Sequence, residues 1–214
     1  MSNTRSESLT GAVEIAFPEF AAPPSEPMGL LSAWLDEAER RKFREPRALA
    51  LATADVLGRS SSRIVVVSRV TGAGLVFVTH QGSRKGRELA ANPWASGVLY
   101  WRESSQQVTV AGPVERLPDS EADALWAARA VFTHAMTTAS RQSEPLDGLD
   151  GVAELRERAG QLARSGPLPR PGSFTAYQLR PESVEFWANG TERLHERLRY
   201  DRCEGGWNIS RLQP

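Results

Sequence analysis

Cysteine occurs once in the 214 residues, at Cys203, which excludes an intrachain disulfide and any zinc site built from several thiolates. Histidine is nearly as scarce. His80, His134 and His195 stand far apart, with no HExxH and no paired Cys/His spacing, so the sequence proposes no metal. Charge of one sign is also missing: 26 Lys and Arg face 26 Asp and Glu, leaving no global field to draw in nucleic acid or an anionic membrane. Any anion must be caught by a local cluster. No apolar run is long enough to span a bilayer, and the charged N-terminus leads into no signal-peptide core, so cytoplasm is the expected compartment. GxSxG, GxxxxGK[ST] and GxGxxG are all absent, which argues against a serine hydrolase, a P-loop and a Rossmann nucleotide site.

With 40% hydrophobic residues the chain has enough apolar material for one core. Residues 1–27, rich in Ser, Pro and small residues, are expected to form a flexible N-terminal arm, with the domain proper over 28–214. "GLLSAWLDEAERRKF" places Leu30, Leu31, Trp34, Leu35 and Ala38 at helical spacing. "ALALATAD" is strand-like; "SSRIVVVSRV", a "TGAG" turn and "LVFVTH" predict a hairpin, and "SGVLYWR" with "QQVTVAGPVERL" predicts a second. Helices are expected at "RKGRELAAN", at "PDSEADALWAARA" with Asp119 or Ser120 as N-cap, and at "VAELRERAGQLAR". Three or four more strands follow the stiff "PLPRPG" connector. Successive hairpins with inserted helices predict a β-rich α+β fold, a mostly antiparallel barrel with peripheral helices, rather than alternating βαβ units.

Two cationic segments stand out. "GSRKG" puts Arg84 and Lys85 between glycines where a strand gives way to a helix. Small residues, a hydroxyl, two cations and a helix N-terminus together suit a phosphate, although a solvated turn has the same composition. In "RLHERLRYDR", read as a strand, Arg193, His195, Arg197 and Arg199 share one face and Leu194, Leu198 and Tyr200 the other. Four cations on one face repel unless an anion or solvent screens them; an exposed edge strand guarded by charge is the competing interpretation. Arg63 opens a further strand nearby.

These pieces, in the order "RIVVVS", "FVTHQGSRKGRELAANP", "QQVTVAGPVERL", "RQSEPL", "PRPGSFTAYQLRPESVEFWANGTERLHER" and "WNISRLQP", resemble the FMN-dependent pyridoxine/pyridoxamine 5′-phosphate oxidases and their split-barrel fold. The resemblance runs from about Ala50 to the C-terminus. It implies FMN contacts at Arg63, Ile64, Val65, Val66, Val67, Ser68, Val78, Thr79, Arg84, Lys85, Gln107, Gln142, Ser143, Trp187 and Arg197. Arg84 and Lys85 would take the phosphate, and the flavin would lie at a homodimer interface to which both chains contribute. For Trp187, core packing is the bland alternative, and for Gln107 a polar strand position.

The departures matter as much. Where the family holds its substrate's phosphate with Lys, Tyr, Arg and Ser, this chain has Ser68, Leu125, Arg129 and Thr133. Two of four phosphate ligands are gone, each charged hydrogen bond being worth roughly 1.5–3 kcal/mol. The substrate segment Arg193 to His195 is kept. That combination is similar to the phenazine-biosynthesis branch of the family, and it implies oxidation of a reduced phenazine carboxylic acid with oxygen as final acceptor. Arg193 would pair with a substrate carboxylate, Arg129 is a second candidate for that role, and His195 would hydrogen-bond substrate or move a proton. A pyridoxamine/pyridoxine 5′-phosphate oxidase with a divergent pocket, and a non-catalytic FMN-binding module, are the alternatives.

Overall fold

The computed structural model describes residues 13–190 and 194–214. Nine strands make a single antiparallel system: β1 (Ala48–Ala54), β2 (Ser60–Thr71), β3 (Gly74–His80), β4 (Trp94–Trp101), β5 (Gln106–Arg116), β6 (Phe174–Leu179), β7 (Ser183–Ala188), β8 (Glu196–Cys203) and β9 (Gly206–Arg211). Their order is β4-β1-β2-β3-β6-β5-β7-β8-β9, and an added β4–β5 pairing closes six of them into a barrel. The expected antiparallel barrel and both expected hairpins, β2–β3 and β4–β5, are present. Five helices surround it: α1 (Pro27–Arg40), α2 (Arg84–Ala91), α3 (Asp119–Ala127), α4 (His134–Ala139) and α5 (Gly148–Ala163). None is long and apolar enough to cross a membrane among the described residues.

The barrel splits along β5. Its first six residues pair with β7, whereas Val114–Arg116 pair with β6. Gly112 sits at the changeover, where a Cβ would come within 2.1 Å of the Arg180 carbonyl oxygen, so the β6–β7 connection passes against bare backbone. Period-two alternation sorts the side chains. Leu49, Leu51, Val65, Val67, Leu99, Val108, Val110, Phe186 and Leu198 fill the interior.

α1 has Pro at its first position, where the missing N–H costs nothing, and buries the expected stripe of Leu30, Leu31, Trp34, Leu35 and Ala38. Trp34 meets Trp101 and Phe186 edge-on, at centroid distances of 6.2 and 5.2 Å. Residues 13–26 are packed on the same side. Phe17 is buried 4.8 Å from Trp34, Tyr200 donates to the Pro24 carbonyl at 3.0 Å, and Trp207 donates to Glu26 at 2.8 Å. The packed body therefore begins ahead of residue 28. Residues 1–12 of the expected arm lie outside the described residues.

Two expected boundaries differ. α3 begins at Asp119 with Pro118 as N-cap, because the Asp119 carboxylate is taken by Arg116 at 2.8 Å instead of capping the helix. β8 begins at Glu196, so Leu194 and His195 precede the strand, and Arg193 lies outside the described residues.

Candidate functional site

The segment "GSRKG" is built as a helix start. Ser83 caps α2, its hydroxyl accepting from the Gly86 amide at 3.2 Å. Gly86 is required for another reason: a Cβ there would lie 2.3 Å from the Gln81 carbonyl oxygen and 2.6 Å from that of His80. This glycine lets the helix approach its own preceding loop. Gly82, in contrast, has open space around it.

Behind the helix start, Glu88 is buried at 7% side-chain exposure and gathers donors from three elements. It accepts from the Thr53 hydroxyl of β1, from the Ser61 hydroxyl of β2 at 2.7 and 2.9 Å, from Arg63 at 3.3 Å and from Arg84 Nε at 2.8 Å. Burial alone would push this carboxyl up, but the bonds from Thr53, Ser61, Arg84 and Arg63 outweigh it and hold the pKa at about 2. Arg63 is occupied at both terminal nitrogens, by the Leu51 carbonyl and Thr53 on one side and by Ser61 and Glu88 on the other. Arg84 is used only through Nε, and its two terminal nitrogens make no hydrogen bond among the described residues.

Lys85 is buried, yet its ammonium meets only neutral partners. It donates to Thr79 Oγ1 at 3.1 Å and to Gln142 Oε1 at 3.2 Å, while Thr79 itself donates to Gln142 at 2.9 Å. Burial first, then the charge of Arg63, holds its pKa below the ordinary lysine value. A buried cation without a carboxylate at ion-pair distance is short of an anion. Arg63, Arg84 and Lys85 against Glu88 leave two positive charges in excess, matching a phosphate monoester of about −1.5 to −2 at pH 7. The residues present thus fit the phosphate of a flavin mononucleotide.

Of the expected substrate residues, Arg129 is near this corner, its charge acting on His80 together with that of Lys85. Ser68 is the extra residue of a β-bulge, since Val67 pairs with Phe77 and Arg69 with Val76; bulges re-aim side chains beside sites. Arg129 follows α3, donates to Thr133 at 3.2 Å and lies 5.3 Å from the Phe174 ring centre, and burial lowers its pKa. Leu125 is half-buried one turn earlier on α3. His80 was not anticipated as a site residue. It is buried, and burial together with the charges of Lys85 and Arg129 keeps its imidazole below the ordinary value, hence neutral at pH 7. A cavity of about 390 Å³ opens between His80, Gly82, Ser140, Arg141, Gln142 and Ser173. Ser143, next to Gln142 in the chain, has a left-handed backbone with φ of 72°.

A second group of expected contacts lies on the outer face of the sheet. Tyr100, Gln107, Trp187 and Arg197 form one cross-strand row through β4, β5, β7 and β8. Ile64 and Val66 on β2 point outward on the same face, 64% and 58% exposed, whereas Val65 and Val67 point into the core. Ligand contacts at Val65 and Val67 would therefore run through their main chain. Val78 is half-buried on β3.

The expected cationic face of "RLHERLRYDR" is balanced within the chain. Arg197 pairs with Glu185 at 2.7 Å, and Arg199 pairs with Asp201 at 2.8 Å, so neither awaits an external anion. His195 lies 4.7 Å from the Trp187 ring, and its Nδ1 accepts from the Gly190 amide at 3.4 Å. No group of three metal-ligating side chains occurs among the described residues.

A closed, split antiparallel barrel with a cation-rich helix start at one corner defines a flavin-binding type of fold, and comparison agrees: the chain belongs to the pyridoxamine 5′-phosphate oxidase family. Residues 35–150 match the pyridoxamine 5′-phosphate oxidase model, and residues 174–214 match the pyridoxine 5′-phosphate oxidase C-terminal dimerisation region. The chain is 56% identical to a dihydrophenazinedicarboxylate synthase of Pseudomonas chlororaphis, over 98% of this chain and 93% of the relative. It is 38% identical to a pyridoxine/pyridoxamine 5′-phosphate oxidase of Gluconobacter oxydans, over 89% and 95%. The crystal structure of PhzG from Burkholderia lata 383, in complex with tetrahydrophenazine-1-carboxylic acid, superimposes with a TM-score of 0.91 at 48% identity, covering 95% of this chain and 100% of that one.

Proposed function

We propose that this protein is an FMN-dependent oxidase that aromatises a reduced phenazine carboxylic acid in phenazine biosynthesis, working as a cytoplasmic homodimer. The observation that carries the reading is the contrast between two neighbouring places. The α2 corner keeps a full cationic set, including buried Lys85 with no carboxylate partner. The substrate corner keeps Arg129 and Thr133 but has Leu125 and Ser68 where a substrate phosphate would need a hydroxyl and a charge. A flat ring bearing a carboxylate suits the second place better than a phosphate ester does. The identity to the dihydrophenazinedicarboxylate synthases, higher than to the vitamin-pathway oxidase, supports the same choice.

Bound FMN would supply a two-electron acceptor for the substrate's hydride and return the electrons to oxygen as hydrogen peroxide. The chain's own part is orientation. Arg84 and Lys85 would hold the phosphate, Thr79 and Gln142 fix the lysine, and Gln107, Trp187 and Arg197 would contribute to the flavin site from the partner chain. Arg129 and Arg193 pair with substrate carboxylates. His195, whose Nδ1 accepts from the Gly190 amide, would hydrogen-bond substrate or move a proton. No essential general base is assigned, because gaining an aromatic ring drives the oxidation and leaves mainly positioning to the protein.

The test is anaerobic mixing of the oxidised, FMN-loaded protein with tetrahydrophenazine-1-carboxylic acid or with pyridoxine 5′-phosphate, following loss of flavin absorbance. Rapid bleaching by the phenazine is expected, with at least about a hundredfold slower reaction of pyridoxine 5′-phosphate if about 3 kcal/mol of binding is missing. The opposite order would establish the vitamin-pathway alternative. Stable FMN with no bleaching by either compound would favour a non-catalytic flavin module.

A further inference from the structure

We propose that Glu88 is the positioning residue of the phosphate site, aiming the Arg84 fork and fixing Arg63 as a brace; this rests on the reading of the α2 corner as an FMN phosphate site. Four observations lead there. Both Glu88 oxygens are filled, one by Ser61 and Arg84, the other by Thr53, Ser61 and Arg63, so the carboxylate has little freedom to swing. It engages Arg84 at Nε alone, which leaves the two terminal nitrogens of that guanidinium as a paired donor for a bidentate oxyanion. The Arg84 side chain is 59% exposed, so without this anchor it would sample many rotamers and lose order on binding. Arg63, by contrast, is 19% exposed and saturated at its terminal nitrogens, so it contributes charge to the corner more than open donors.

Glu88 also subtracts a charge. A cluster of three cations with no carboxylate would crowd like charges around buried Lys85, where the nearby Arg63 already disfavours the ammonium. The acid therefore trades some attraction for anions against a fixed, two-plus receptor matched to a terminal phosphate. Removing it raises the net charge of the site, so a purely Coulombic site would bind FMN more tightly. Positioning predicts the reverse, and that difference in sign makes the idea testable.

The experiment compares dissociation constants of FMN and riboflavin, which lacks the phosphate, by flavin fluorescence on the full-length protein freed of flavin. The variants are Glu88→Gln, Glu88→Asp, Arg84→Ala and the double Glu88→Gln/Arg84→Ala. Glu88→Gln should weaken FMN by about tenfold or more, with riboflavin changed by less than about twofold. Glu88→Asp, which keeps the charge but retracts it from Arg84, should weaken FMN in the same direction and decides the matter if Glu88→Gln does not fold. In the Arg84→Ala background the Glu88→Gln change should add less than about twofold, because the two act through one contact. Unchanged or tighter FMN binding in Glu88→Gln or Glu88→Asp, with Arg84→Ala impaired, would overturn the positioning role while leaving the phosphate site standing. Equal loss of FMN and riboflavin would overturn it in favour of a scaffold role. Normal FMN affinity in Arg84→Ala would instead remove the phosphate reading on which the proposal rests.

Discussion

At the α2 corner, Lys85 and Glu88 are buried, and the charged groups are held by partners from the same chain. On the outer face of β2, β1, β4, β5 and β7, apolar Ile64 and Val66 stand exposed beside small alanines and the Gln107–Trp187–Arg197 row. The first region is finished by folding, since its hydroxyls and carboxylate satisfy Arg63 and orient Arg84 before any ligand arrives. The second resembles a core cut open, the state of a surface that a second chain covers. The dimerisation match over residues 174–214 covers β6 to β9, the strands that extend this face. Under the proposed function a single site would be half preorganised and half assembled, its phosphate end held by one chain and its ring end completed on association.

The largest expected effect comes from breaking the finished half. Arg84→Ala with Lys85→Ala removes two charge-assisted contacts of roughly 1.5–3 kcal/mol each, so FMN affinity should fall by about two to four orders of magnitude in a fluorescence titration. Light scattering should still give a dimer, because neither residue lies on the outer face.

Breaking the other half comes next. Ile64→Lys with Val66→Lys places two charges where the proposed partner chain packs, and each would need desolvation. Association should weaken by about 2 kcal/mol or more, seen as a shift toward single-chain mass in light scattering, with FMN lost in parallel. Circular dichroism should stay unchanged, since both side chains leave the core. A flavin-saturated monomer from this variant would contradict the assembled half of the account.

A third prediction separates the halves by pH. Glu88 has its folded pKa lowered from 4.5 to about 2, so its contribution to stability is fully present above about pH 4.5 and is lost as pH falls through about 2. Urea unfolding of Glu88→Gln against the parent should therefore show its largest deficit near neutral pH, narrowing steadily in acid. The smallest effect belongs to Arg199→Ala. Its pair with Asp201 is more than a third exposed on both sides, which limits the cost to about 1 kcal/mol or less and leaves FMN binding alone.

Much of the fold was legible in local pattern. Alternation exposed the two hairpins, and the 3.6-residue spacing of Leu31, Trp34, Leu35 and Ala38 exposed α1, because these signals depend on neighbours in sequence. Barrel closure was legible only as a class. The insertion of β6 between β3 and β5 joins residues far apart in the chain, such as Phe77 with Tyr177 and Val114 with Leu179, and no window contains both. The packing of residues 13–26 was hidden for a similar reason: Phe17 is one aromatic in a proline-rich stretch, and its partners Trp34 and Phe186 come later. At the site, Arg84 and Lys85 stood out as an adjacent pair, whereas no sequence motif singles out Glu88. Its importance arises from Thr53 and Ser61, which other strands bring to it. The Ser68 bulge was equally invisible, being a property of pairing rather than of residue type.

Under the proposed function each flavin site takes its phosphate end from one chain and its ring end from the other. Complementation tests it most directly. One full-length variant carries Arg84→Ala and Lys85→Ala, a second carries Trp187→Ala and Arg197→Ala, and each alone should bind FMN poorly. Co-expressed with distinct tags and purified as the mixed dimer, they should regain tight FMN binding at one site of the two, because one site then draws both of its halves from unaltered surfaces. If the mixed dimer binds FMN no better than either parent, each site lies within one chain and is not shared.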